Sequence, residues 1–172
     1  METRNHNRSA EHKVKSERAP GLHNPQGVGL DVDDFPSLPT IDKCLRDIAA
    51  FLPTGERDAL TAICCTSICR AEYRRAIVAV TERIARMPRT YETDGQGLDA
   101  IAHLHYSCYI GDREWHWYIT EKDRTGLGTQ QAFGLAVGYE RELGYISIAE
   151  IVSTAGAELD VLWTPKPLRE IE

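Results

Sequence analysis

Three histidines, two tryptophans and a glutamate–aspartate pair crowd into "AHLHYSCYIGDREWHWYITEKD", residues 102–123. Histidines at i and i+2 of a strand, with a third across the ladder, have a spacing that can hold Zn²⁺. Glu121 or Asp123 would then serve as a further ligand or as the base. That chemistry is a metal-dependent hydrolase or nuclease built on His103, His105 and His116. The competing reading is an ordinary hairpin whose polar face is covered by a helix or a partner. On that reading His103, His105, His116 and Tyr118 bind rather than catalyse, and neither metal nor cofactor is expected.

Other reaction chemistry leaves little trace. The chain carries no G-x-S-x-G elbow, no phosphate loop and no H-E-x-x-H pair. "GLGTQQAFG" has glycines but no strand-to-helix context to cradle a phosphate, and reads as a hairpin loop. The five cysteines, Cys44, Cys64, Cys65, Cys69 and Cys108, are odd in number and lack paired C-x-x-C spacing. They read as reduced thiols behaving as small hydrophobes.

The elements that must position the histidines can be derived from periodicity. Gly111-Asp112 lies between two β-rich runs and fits a two-residue turn with glycine first. Cross-strand partners then pair Tyr106 with Trp117, Cys108 with Trp115 and Leu104 with Ile119 on one face. The opposite face pairs His105 with Tyr118, His103 with Thr120 and Ser107 with His116. Shifting the register by one residue would scramble both faces, so the pairing is well specified. Glu121 has the parity of the tryptophan face and reaches the histidines only if the strand has ended or bulged.

Upstream, "TIDKCLRDIAAFL" places Ile41, Cys44, Leu45, Ile48 and Leu52 on one helical stripe, with Thr40 as N-cap and Pro53 closing it. Thr54 offers a second cap, and the helical stretch it opens carries Tyr73, Ile77, Val80, Ile84 and Met87 before Pro88. The stripe shifts near Cys64–Cys69, which predicts a bend or two shorter helices. Downstream, strands are expected over 100–109, 115–121, 131–139, 143–146 and 158–163, with Leu159, Val161 and Trp163 inward in the last. In "QAFGLAVGY" large residues alternate with Ala132, Gly134, Ala136 and Gly138, a bare row on which a helix could pack. Ser147 and Glu150 form a capping box for a helix from Ile148 to about Gly156. The fold class is α+β, with N-terminal helices on a small antiparallel sheet of about five strands and one short helix before the last. Residues 1–38 read as a disordered or loosely ordered tail, 39–89 as a helical subdomain, and 98–172 as a β-rich domain packed with the helices as one unit.

The net charge of −6 conceals a split. Residues 57–89 carry seven arginines against three acids, whereas 90–172 carry six basic residues against fourteen acids. Two such halves can attract each other without a partner. This balance argues against non-specific nucleic-acid binding, while Arg70, Arg74 and Arg75 leave a ridge that could touch phosphate or a partner. No run of about 18 apolar residues exists and the first twenty lack an apolar signal core, so a cytoplasmic protein without membrane contact is expected.

Read in order, "HLHY", "WHWYITEKD", "QAFGLAVGYERELGYISIAEI" and "ELDVLWTPKPLREI" resemble the family called domain of unknown function twenty-nine fifty-eight, over residues 100–172. The chain departs from that pattern at "YSCYIGDREWHW" and at Ile151, where leucine is usual. The resemblance implies a protein of plasmids, integrative elements and phages. It supplies no catalytic residues, and the matching Glu121, Glu142 and Glu150 read as structural. The expectation is a non-catalytic protein-binding factor of a mobile element. Its partner would be a host or element protein, and its role that of an anti-CRISPR or antirestriction inhibitor of a defence complex.

Overall fold

The protein is described by a computed structural model over residues 35–171. The described residues all belong to one compact unit. Most of the expected tail lies outside the described residues. Its end does not, because Phe35 and Pro36 are already half-buried and a helix starts at Leu38.

Three helices come first: α1 (Leu38–Asp47), α2 (Glu56–Thr66) and α3 (Arg70–Arg86). Ser37, not Thr40, caps α1, its Oγ accepting the Thr40 N–H. The reason is Pro39, which fits the first turn, where no N–H is required, and so moves the start upstream. Gly55 rather than Thr54 precedes α2, in the left-handed region at φ +84. The break expected near the cysteines is real: Ser67–Cys69 separate α2 from α3. Ile41, Leu45, Ile48, Ile77, Val80, Ile84 and Met87 are buried as their stripes require.

The sheet follows as β1 (Ile101–Ala102), β2 (Leu104–Ile110), β3 (Arg113–Glu121), β4 (Ala132–Val137), β5 (Arg141–Ile146), then helix α4 (Ile148–Ser153), β6 (Glu158–Leu159) and β7 (Lys166–Pro167). Five strands join antiparallel in the order β5-β4-β3-β2-β6, while β1 and β7 form a separate two-stranded ribbon. The fold is α+β. β2 and β3 turn at Gly111, φ +69, with Leu104 opposite Ile119, Tyr106 opposite Trp117, Cys108 opposite Trp115 and His105 opposite Tyr118.

Leu104, Tyr106, Cys108 and Ile119 pack with α1, α2, α3 and α4 in one core. Each such burial stabilises by about 1.5–3 kcal/mol. Tyr106 is fully enclosed and its hydroxyl donates to the Phe51 carbonyl at 2.9 Å, tying sheet to helices. Trp117 and Trp115 are only half-buried, Trp117 packing against the margin of the helical core. The bare row is covered in two ways: Ala132 is buried in the helical core, whereas a Cβ on Gly138, just past β4, would come within 2.5 Å of the Trp115 ring. The opposite face carries a second, smaller core of Ala100, Ala102, Tyr118, Leu135, Leu168 and Ile171.

Ser147 caps α4 as expected, its Oγ accepting the Glu150 N–H, but the helix ends at Ser153. The last strand is shorter than expected too. Only Glu158 and Leu159 pair, after which Asp160 turns the chain by accepting the Leu162 N–H on its side chain and the Trp163 N–H on its backbone. Leu159 and Val161 join the main core, while Trp163 crosses to the second one. Among the described residues, no helix is long and apolar enough to cross a membrane.

Candidate functional site

The polar face of the hairpin is an ordered stack of rings. His105 lies parallel to Tyr118 at 4.7 Å between centroids, 7° from coplanar, and 5.3 Å from His116. Trp163, delivered by the turn at Asp160, leans on both His105 at 5.0 Å and Tyr118 at 5.4 Å. Its indole N–H donates to the Ala102 carbonyl at 2.9 Å. The two imidazoles are hydrogen-bonded to each other, His105 Nε2 to His116 Nδ1 at 3.0 Å. A carboxylate stands at each end: Asp160 Oδ2 is 3.4 Å from His105 Nδ1, and Glu114 Oε2 is 3.8 Å from His116 Nε2. The order is Asp160, His105, His116, Glu114.

The electrostatics follow from that order. The hydrogen bond from His105 holds the Asp160 carboxyl below its ordinary range. Burial, and then the charge His105 can carry, lower His116 below the usual imidazole value.

His103 is not part of this stack. It lies at the break between β1 and β2, its N–H donating to the Ile119 carbonyl and its own carbonyl accepting from the Arg83 guanidinium at 3.2 Å. Burial and the Arg83 charge depress its pKa. Glu121 departs as well. The ladder between β3 and β4 shifts between Ile119 and Glu121, and this bulge turns the carboxylate toward the 90–93 loop. There it accepts the Tyr91 and Thr93 N–H groups and the Thr93 hydroxyl. Asp123 closes the β3–β4 loop by accepting from the Thr125 N–H, the Thr125 hydroxyl and the Gln131 N–H. Among the described residues no group of three or more His, Cys, Asp or Glu side chains is arranged to hold a metal ion. The geometry therefore does not assemble the histidine centre that the spacing alone allows.

The arginine ridge is corrected in the same way. Arg74 is buried, its Nε and Nη2 both donating to the Cys64 carbonyl at the end of α2, its guanidinium over the Phe35 ring. Arg70 and Arg75 are exposed on α3, so a continuous three-arginine surface does not form. Tyr118 is buried in the second core.

Two features escaped sequence reading. A groove of about 570 Å³ runs between α2 and residues 156–162, with Glu56, His105, Ser107, Glu158 and Asp160 on its walls above Leu60 and Ile63. Glu56 accepts the Leu159 N–H there, and burial, opposed by that hydrogen bond and aided by Glu158, pushes its carboxyl up to about 7. Glu56 lies in the first turn of α2, where an acid is unremarkable, so nothing local signals its burial. The second feature is the outer edge of β5. Tyr139 is 72% exposed, Tyr145 56%, Tyr91 46% and Leu143 42%. Tyr145 meets Tyr91 edge-on at 6.1 Å and Phe133 at 5.6 Å. Strand alternation placed Tyr139 on a face but said nothing of where cover would end.

The chain matches no family model. No curated protein and no solved structure matches it either. The functional reading therefore rests on geometry.

Proposed function

We propose that this chain is a non-catalytic protein-binding factor that engages its partner through the outer edge of β5. The observation that carries the reading is the aromatic strip of Tyr91, Leu143 and Tyr145 beside a strand whose outer side has no sheet neighbour among the described residues. Rigid aromatic anchors at a sheet edge are the kind of group that dominates interface energies. They cost little side-chain entropy on binding, and an open edge can accept an extended segment. The uses of Glu121, Asp123 and Arg74 in holding backbone groups support a structural role for the polar residues outside that strip. The setting, a plasmid, integrative element or phage, rests on the resemblance of residues 100–172. On that setting the partner is a host or element protein, and the effect is inhibition of a defence complex of the CRISPR or restriction type.

A photo-crosslinking residue in place of Tyr145, expressed in hosts that carry such systems, tests this directly. A single stoichiometric adduct is expected, together with relief of phage or plasmid restriction. Leu143→Asp with Tyr145→Asp removes two of the three anchors and should weaken capture by about tenfold or more, while leaving the folded spectrum unchanged. No adduct from the crosslinking protein, together with no relief of restriction by the wild type in any host, would sink the proposal.

A further inference from the structure

The four-membered chain Asp160, His105, His116, Glu114 can hold one added proton with every bond satisfied, but not two. With one proton, His105 donates from Nδ1 to Asp160 and from Nε2 to His116 Nδ1, and His116 donates from Nε2 toward Glu114. A second proton has only the facing nitrogens to occupy. Two N–H donors would then point at each other across a separation that is 3.0 Å in the hydrogen-bonded pair, with like charges on rings 5.3 Å apart. From this geometry we infer that the His105–His116 pair is an acid-sensitive latch, in which uptake of the second proton swings His116 off the stack and uncovers the ring faces of His105 and Tyr118.

The side that moves is set by what holds each ring. His105 is gripped between Tyr118 and Trp163 and keeps its Asp160 partner in either state. His116 is the more exposed imidazole, and beyond His105 it is held by a looser ring contact with Tyr118, 6.1 Å between centroids, and by Glu114 at 3.8 Å, toward the hairpin's turn. The surrounding charges sharpen the response in opposite senses. Asp160, Glu114 and, in the adjoining groove, Glu56 and Glu158 favour the first proton. Arg83 near Asp160, Arg141 near Tyr118 and Lys166 over the Trp163 ring oppose a second, and His103 lies beside Arg83 as well. The lowering of His116 by burial and by His105 agrees with a second proton taken up below the ordinary 6.5. The backbone does not depend on the latch: Asp160 N–H still donates to the His105 carbonyl, and the Trp163 indole to Ala102.

Nuclear magnetic resonance of histidine-labelled full-length protein from pH 8 to 5 tests the latch. Two linked titration steps are expected, the second below pH 6.5. That second step should coincide with loss of the cross-ring contact between His105 and His116, while the Trp163 indole N–H resonance stays protected. His116→Gln, which can accept a hydrogen bond but not a proton, should abolish the second step and leave the Trp163 indole N–H protected throughout; a second step that persists in this variant would overturn the inference. Two independent single-proton titrations with the ring contact intact at pH 5 would overturn the inference.

Discussion

Glu56 shows how much of this protein's electrostatics is decided one residue at a time. Its carboxylate lies in the groove wall with a single backbone donor, and burial raises its pKa from 4.5 to about 7. A group whose folded pKa is raised contributes stability that is complete below its unfolded value and is lost as pH rises through the folded one. Glu56→Gln keeps an oxygen for the Leu159 N–H and removes that loss. The variant should therefore be more stable than wild type at pH 8 by about 1–2 kcal/mol, discounted for water that still reaches the carboxyl, and equal to it at pH 4. Urea unfolding at the two pH values reads this directly. An equal offset at both would show that packing, not charge, governs the position. Arg74 makes the complementary point: a residue whose sequence neighbours suggest a surface ridge is consumed by the carbonyl of Cys64.

At the scale of elements, the β2–β3 hairpin sets the register for everything above it. Two glycines, one at its turn and one just past β4, differ in what they require. Gly111 adopts φ +69 in open space, so a side chain there meets only backbone strain. Gly111→Ala should cost about 1–2 kcal/mol and Gly111→Asn less, with near-ultraviolet dichroism unchanged. Gly138 has ordinary backbone but lies under Trp115, so Gly138→Ala must displace an indole. It should cost about 1–3 kcal/mol and alter the tryptophan dichroism. Identical spectra for the two variants would refute this distinction between strain and contact. The hairpin was readable because a two-residue turn fixes the pairing and alternation sorts its faces. The bulge that removes Glu121 was not, since it depends on where β4 meets β3.

For the whole molecule, the decisive feature is that one sheet serves two cores. Strands β3 and β4 give residues both to the helical core and to the smaller cluster around Leu168. Shared strands make the two sides one cooperative unit. Leu168→Ala, at a fully buried site far from the helices in sequence, should destabilise by about 2–5 kcal/mol. Unfolding followed by far-ultraviolet dichroism and by tryptophan emission should still coincide. Separate transitions would mean that the smaller core melts alone.

The helices, the hairpin register, the Ser147 cap and the α+β class were determined by the sequence itself. Each follows from a period, a turn or a cap within a few residues of chain. The tertiary structure alone decided that Asp160 returns to His105 from 55 residues away, that Trp163 crosses to the second core, and that His103 is left outside the stack. Local backbone preferences are fixed by neighbouring residues. Which imidazole meets which carboxylate depends on the path of a chain that turns at Asp160, and no periodicity records that path.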